Sequence, residues 1–198
     1  WTVGAWQLCQ NAALVVQILH ASRGLGLREQ VIGLCFVALG VGTLTASLLA
    51  DRLSEHVGPG PSLVLGCALC GTGWLLPWLW PTGGAGVAAF VAMLLLAGGG
   101  GLLMFVNFLA LRQAVTPAPL LGRMTATMRW LILLPAAPGA LLGGWIGEHV
   151  SLTATLGAAG GCALVLAALA WGSPLIRGLR MLPAVAEVAV QDGRAGVA

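Results

Sequence analysis

The chain has 198 residues, of which 59% are hydrophobic and 8% charged, against roughly 25% charged residues in ordinary soluble domains. A soluble protein must cover itself with polar side chains, whereas a bilayer accepts a hydrophobic exterior if the backbone groups bond internally, so the composition predicts an integral membrane protein. The basic residues are all arginines, scattered along the chain with a net charge of +3, which argues against nucleic acid as a partner.

The five cysteines all lie in apolar stretches, where a thiol behaves as a small hydrophobic group and a disulfide framework is not expected. Cys67 and Cys70 share a helical face, but no histidine or acidic residue lies near them in sequence, so neither a metal site nor a cofactor is predicted. The chain begins at Trp1 without the features of a secretory signal, which indicates a fragment or a processed chain.

Six stretches meet the length of about 20 mostly apolar residues that a membrane helix requires. The predicted spans are roughly 1–19, 31–50, 62–80, 85–111, 124–147 and 153–176. Short connections with turn residues join them, which predicts an all-α bundle over residues 1–176. Residues 177–198 form a tail with little bulk to bury, and we expect it to be disordered.

The first span carries four amide side chains on one side of an apolar helix. They are Gln7, Gln10, Asn11 and Gln17. At 100° per residue they fall within an arc of about 120°, which predicts a wet face that lines a cavity. Hydrogen bonding between helices inside the bundle is the alternative.

The second and fifth spans carry small residues at four-residue spacing. The main ones are Gly42, Ala46, Gly139, Gly143 and Gly147. This spacing permits close approach of helix backbones and predicts packing seams. Pro135 and Pro138 are expected to bend the fifth span just before its seam.

A cluster of charges follows the second span, in the stretch SLLADRLSEHVG at 47–58. A helix C-terminus favours Arg52 and disfavours Asp51 unless Asp51 meets a partner, so Asp51, Arg52 and Glu55 are predicted to form a latch between spans. A solvated loop that marks the membrane edge is the alternative.

Two further polar residues are candidates for the cavity, namely Asn107 in the fourth span and Arg129 in the fifth. A charge inside a membrane span is by default a functional hypothesis. Arg129 can alternatively extend its side chain to the lipid headgroups.

An internal repeat relates the two halves of the bundle. ASLLADRLSEHVG from Ala46 and GALLGGWIGEHVS from Gly139 share Leu-Leu and Glu-His-Val at a constant offset. Each copy belongs to a set of three spans, about 1–80 and about 85–176, and an odd number of spans inverts the second copy relative to the membrane. Inverted three-helix repeats are typical of transporters. A chance match among abundant Leu, Ala and Gly remains the alternative.

The stretch at 47–58 resembles the loop motif of the major facilitator superfamily, Gly-x-Leu-Ala-Asp-Arg-x-Gly-Arg-Arg/Lys, at Leu49 to Arg52. Ser47, Ser54, Glu55 and His56 depart from that motif, as its weaker copy between the eighth and ninth spans tends to do. NFLALRQAVTPAPLLGRMTATMRWL, at 107–131, resembles the connection between spans ten and eleven in multidrug and siderophore exporters of that superfamily.

This resemblance implies that the six spans are the C-terminal half of a twelve-helix transporter. Such a protein exports a small amphipathic molecule by alternating access driven by protons, and is not an enzyme. Its implied partners are the lipid bilayer, the cargo, and either an N-terminal six-span half or a second copy. A half-size homodimeric transporter and a non-catalytic membrane subunit are the alternatives. An intramembrane protease is disfavoured, because the chain has no lysine and no Gly-x-Ser-x-Gly.

The loop arginines predict the orientation, because arginine is enriched on the cytoplasmic side. The second, fourth and terminal connections contain Arg52, Arg112, Arg123, Arg177 and Arg180, against Arg23 and Arg28 in the first connection. The C-terminus is therefore expected to be cytoplasmic. The resemblance to exporters implies a plasma membrane, in bacteria the inner membrane.

Overall fold

A computed structural model describes residues 2–115 and 121–173, and these residues form helices and no strands. The helices are α1 (Thr2–Leu19), α2 (Glu29–Val57), α3 (Pro59–Leu79), α4 (Gly83–Val115), α5 (Leu121–Leu133), α6 (Ala136–His149) and α7 (Leu152–Gly172). A π-helical turn, His20–Gly24, follows α1. The predicted tail at 177–198 lies outside the described residues.

Four of the helices are long and apolar enough to cross a membrane within the described part of the chain. They contain the segments Glu29–Ala50, Pro59–Leu79, Gly83–Arg112 and Leu152–Gly172. These match the second, third, fourth and sixth predicted spans. The first predicted span is α1, whose amide side chains lower its hydropathy, and the fifth is divided between α5 and α6. An all-helical membrane fold is therefore established, and six spans remain a prediction.

The division of the predicted fifth span lies at Leu134 and Pro135. Proline has no N–H, so neither Pro135 nor Pro138 can donate a helical hydrogen bond to the residue four positions earlier. Helical bonding nevertheless continues on both sides, since the Leu134 N–H donates to the Trp130 carbonyl (2.8 Å) and the Gly139 N–H donates to the Pro135 carbonyl (2.9 Å). The interruption thus occurs where the prolines predicted a bend.

The motif at 47–58 lies on a helix, which corrects the expectation of a loop. α2 continues through it to Val57, and the connection to α3 is reduced to Gly58. Gly58 has a φ of 93°, a conformation that glycine adopts without strain. α3 begins at Pro59, where the missing proline N–H costs nothing because the first turn has no partner for it.

The helices pack around a buried apolar core. α4 packs against α2 and α3, α3 also packs against α7, and α1 packs against α6 and α7. The largest side chains of the core are fully buried, among them Trp74, Phe90, Met93, Leu94 and Leu156. On the outside, Leu48, Leu141 and Trp130 are 78%, 74% and 72% exposed, so the exterior is hydrophobic, as contact with lipid requires.

The crossing of α2 and α4 depends on small residues. A Cβ built on Gly42 would collide with the backbone carbonyl of Leu95, and one built on Gly99 would lie 3.2 Å from the carbonyl oxygen of Gly42. Ala46 is buried at the same crossing, 3.8 Å from the Cβ position of Gly99. The backbones therefore approach too closely for a larger residue at Gly42.

A second close crossing joins α1 and α6. A Cβ built on Gly139 would lie 2.5 Å from the carbonyl oxygen of Leu8, and one built on Gly143 would lie 2.7 Å from that of Ala12. At the end of α6, the Cβ position of Gly147 is 3.2 Å from the Leu152 side chain. All five small residues singled out in the sequence thus face a neighbouring helix.

Candidate functional site

A cavity of about 320 Å³ lies between α1, α4 and α5. Its walls are formed by Trp6, Gln7, Gln10, Gly101, Met104, Phe105, Phe108 and Ile132. Apolar and aromatic walls with a few convergent polar groups are the usual form of a small-molecule site. None of these lining residues carries an ionisable side chain, so the cavity favours an uncharged part of a molecule.

Two buried polar atoms of this cavity have no hydrogen-bond partner among the described residues. They are Nε1 of Trp6 and Oε1 of Gln10. An indole N–H can only donate and an amide oxygen can only accept. A buried polar atom without a partner costs roughly 1–3 kcal/mol. Both atoms are closed to solvent, so a molecule in the cavity would remove these costs only if the two side chains turned toward it.

Gln7 joins the cavity wall to the interrupted helix. Its Nε2–H donates to the carbonyl oxygen of Ile132 over 3.4 Å. Ile132 lies in the last turn of α5, where helix carbonyls lack partners in their own helix. The side chain of Asn11 turns back instead, and its Nδ2–H donates to the Gln7 carbonyl (2.7 Å). Gln7 therefore holds α5 against α1.

Four of the predicted cavity residues do not line this cavity. Asn11 is half-buried, Gln17 is buried, and Arg129 is exposed on α5. Asn107 is buried, accepts a hydrogen bond from the Ser54 hydroxyl (2.9 Å) and donates to the Leu103 carbonyl (2.9 Å). Asn107 thus links α4 to α2, and a cavity role for these four residues stays a prediction.

The predicted latch residues occupy the last two turns of α2. Arg52 is exposed, and Nδ1 of His56 lies 2.7 Å from the Arg52 carbonyl oxygen. The backbones of Asp51 and Glu55 are helical, and their side chains lie outside the described part of the structure. A gating role therefore stays a prediction, although Ser54 does tie this segment to α4 through Asn107.

Trp6 is the cavity residue that the sequence interpretation missed. At 100° per residue it lies beside the arc of amide side chains, only 20° beyond Gln17. Its indole ring adds apolar surface to the span but also carries a hydrogen-bond donor. Weighing that donor with the neighbouring amides would have found it.

His20, in the π-helical turn, is a second polar residue, which the sequence placed at a span end but did not make a candidate site residue. Its side chain is buried, and neither ring nitrogen has a partner among the described residues. Phe90 packs beside it with the ring centroids 6.3 Å apart, and a Cβ on Gly24 would lie 2.6 Å from Nδ1. Burial lowers the pKa of His20 from its usual value of 6.5. π-helical turns recur at functional sites and are invisible to a 3.6-residue pattern.

The buried thiols of α3 bond to neighbouring helices. The Sγ–H of Cys67 donates to the Ala163 carbonyl of α7 (3.3 Å), and that of Cys70 donates to the Ala97 carbonyl of α4 (3.7 Å). Within residues 2–115 and 121–173, no group of three His, Cys, Asp or Glu side chains could hold a metal ion.

Long apolar helices, a hydrophobic exterior and a small internal cavity define a polytopic α-helical membrane protein. The family model of the Major Facilitator Superfamily matches residues 5–180. The chain therefore belongs to the Major Facilitator Superfamily, whose members are membrane transporters and not enzymes. Comparisons with curated proteins and with solved structures give no match.

Proposed function

We propose that this chain is the C-terminal six-span half of a secondary active transporter that exports a small amphipathic molecule by alternating access. The motif resemblances at 47–58 and 107–131 support the half and the efflux branch. Coupling to protons, a bacterial inner membrane and a cytoplasmic C-terminus complete the proposal. The partner is an N-terminal six-span half or a second copy.

The cavity between α1, α4 and α5 is the observation that carries this proposal. By the 1.5 Å rise per residue, Gln10 lies about 12 Å from the start of α1, near the middle of a membrane span, where transporters of this architecture bind their cargo. Phe105 and Phe108 offer an apolar wall, while Trp6 and Gln10 offer one donor and one acceptor. An amphipathic cargo matches both features.

The helix packing supports six spans in two inverted repeats. The two proposed repeats pair α1 with α4, α2 with the α5–α6 unit, and α3 with α7. Under this pairing, the α2–α4 packing corresponds to the α6–α1 packing, and the α3–α4 packing corresponds to the α7–α1 packing. All four packings are present. The α3–α7 packing maps onto itself. The repeated sequences align Ala46 with Gly139, and both lie at the crossings that this exchange relates.

The exposed side of α1 supports pairing with a second six-span unit. Leu14 and Ile18 are 51% and 52% exposed, and by helical geometry each lies about 20° from Gln7 around the helix axis. The side of α1 that faces the cavity therefore continues as an apolar stripe that the described helices leave uncovered. A second unit placed there would close the cavity.

Transport by the full-length protein in proteoliposomes tests the proposal. Ethidium, Nile red and a bisbenzimide dye serve as aromatic amphiphiles, each measured with and without an imposed pH gradient. We expect gradient-dependent movement of at least one dye. Trp6→Phe keeps an aromatic ring in the wall but removes the indole N–H donor. It should raise the KM for the transported dye roughly fivefold, because one hydrogen bond contributes about 1 kcal/mol.

Trp130→Phe is the matched control, since Trp130 is 72% exposed on α5 and outside the cavity. It should leave the KM unchanged. Equal KM values for Trp6→Phe and the wild type would contradict the cavity assignment. A transport rate that is the same with and without the pH gradient would contradict proton coupling but not the cavity assignment.

A further inference from the structure

A groove of about 510 Å³ lies on the outer side of the bundle, between α2, α3 and α4. Its wall is formed by Gly42, Thr45, Ala46, Leu49, Arg52, Leu53, His56, Leu65, Leu69, Leu95, Leu96, Gly99 and Leu103. Apart from the Thr45 hydroxyl, the polar side chains of this wall are Arg52 and His56, which lie together in the last two turns of α2. The groove is thus apolar along its length and polar at one end.

The groove is separate from the cavity proposed for cargo. α4 contributes Gly99 and Leu103 to the groove, and Gly101 and Phe105 to the cavity. At 100° per residue, Gly99 and Gly101 point about 160° apart, so the two sites occupy opposite sides of α4. No residue of α1 lines the groove, so a second unit that covered α1 alone would leave it open.

The length of the apolar part matches one leaflet of a bilayer. From Gly42 to Arg52, α2 rises about 15 Å at 1.5 Å per residue. The hydrocarbon core of a bilayer is about 30 Å thick, so one leaflet contributes about half of that. With an acyl chain beside Gly42, Arg52 and His56 would lie at the level of the lipid headgroup.

The polar end has the chemistry of a phosphate site. Arg52 is exposed, and a guanidinium binds phosphate oxygens through two parallel N–H donors. His56 lies one turn further along α2, with Nδ1 2.7 Å from the Arg52 carbonyl oxygen. A carbonyl oxygen only accepts, so this bond places the ring hydrogen on Nδ1 and fixes the imidazole beside Arg52.

We propose that this groove binds one anionic phospholipid, with an acyl chain along α2, α3 and α4 and the phosphate on Arg52. The predicted orientation puts this end of α2 at the cytoplasmic surface, where anionic lipids are abundant. A bound lipid accounts for both features of the groove, namely its apolar length of about one leaflet and the positive charge of Arg52 at its end. The lipid would also contact the helix turn that carries the predicted latch, beside Asp51.

Native mass spectrometry of the full-length protein tests this proposal independently of transport. Phosphatidylglycerol and phosphatidylcholine with identical acyl chains are titrated separately, and the fraction of protein with one bound lipid is measured. We expect phosphatidylglycerol to bind about fivefold more tightly, because one basic residue near an anionic lipid is worth about 1 kcal/mol. Arg52→Gln should remove that preference, and Arg28→Gln, at an exposed arginine beside the opposite end of α2, should keep it.

A second pair of variants tests the groove itself. Thr45 lines the groove and is exposed, so Thr45→Trp should fill it and abolish binding of both lipids. Leu44→Trp is the control, because Leu44 is 66% exposed on α2 and does not line the groove. It should bind lipid as the wild type does.

Four outcomes would overturn the proposal. Equal binding of the two lipids by the wild type would show that the groove does not recognise an anionic headgroup. If the two variants of either pair changed lipid binding equally, the binding would not be specific to this groove. Displacement of the lipid by ethidium would assign the groove to cargo. A lipid-free dimer that Thr45→Trp dissociates would assign it to a second copy.

Discussion

The amide side chains of α1 share one arc but have different surroundings. Gln10 lines the cavity and its buried Oε1 has no partner among the described residues, whereas Asn11 bonds to its own helix and Gln17 is buried. The sequence predicted a shared arc because side-chain direction follows helical geometry, and the segment is helical. The sequence could not tell which of these side chains line a cavity and which pack inside the bundle, because their surroundings depend on which neighbouring helix covers each residue.

His20 gives a pH-dependent prediction at the same scale. Its pKa is lowered in the folded protein, so above about pH 6.5 the ring is neutral in both the folded and unfolded states. As the pH falls from 6.5 toward the lowered pKa, the unfolded chain binds the proton first and stability is lost. We expect the melting temperature to fall between pH 7.5 and 5.5, and to fall less for His20→Leu.

His56→Leu is the control for that experiment, since His56 is exposed at the end of α2. It should retain the fall in melting temperature seen in the wild type. If His20→Leu and the wild type lose the same number of degrees, the buried imidazole does not control acid stability.

At the scale of the helices, small residues allow the two close crossings. On each of these helices, a glycine that contacts the facing helix can be compared with a nearby glycine that does not. Gly42 and Gly143 meet backbone atoms of the facing helix, whereas Gly40 and Gly144 have nothing within 4 Å of a built Cβ. The four-residue spacing predicted these seams because it places residues on one helix face.

Substitution by alanine should therefore change the stability in opposite directions at the packed and the unpacked glycines. Gly42→Ala and Gly143→Ala are expected to destabilise the protein by roughly 1–3 kcal/mol through overpacking against backbone. Gly40→Ala and Gly144→Ala should be neutral or stabilising by up to about 1 kcal/mol, since alanine favours helix. Thermal unfolding in detergent measures both, and equal melting temperatures within either pair would contradict the close crossings.

Helix boundaries were harder to predict than helix faces. The charges at Asp51 and Arg52 suggested that α2 ends at the membrane edge, but the helix continues to Val57. Leaving the bilayer does not end a helix; here it ends where Gly58 adopts a positive φ and proline follows. The prolines predicted a bend at the place where α5 and α6 are separated, because proline removes a helical hydrogen bond, whereas the π-helical turn at His20–Gly24 has no such marker.

At the scale of the whole molecule, alternating access requires a gate as well as a cavity. We propose that the end of α2 forms that gate; there the Ser54 hydroxyl donates to the Asn107 side chain of α4. Asp51→Asn in the full-length transporter is expected to slow dye transport with little change in dye affinity, because it shifts a conformational equilibrium without touching cargo. Proteoliposome rates and equilibrium dye binding measure the two quantities, and an unchanged rate would contradict the gate.

Access to position 10 from the two sides of the membrane tests the central claim most directly. Gln10→Cys is placed in the full-length protein with its native cysteines replaced by alanine, and a membrane-impermeant thiol reagent is applied from either side. We predict labelling from one side at rest and from the other under a pH gradient, while Val165→Cys, exposed on α7, stays unlabelled. Labelling of position 10 from the same side under both conditions, or from neither side, would contradict alternating access through this cavity.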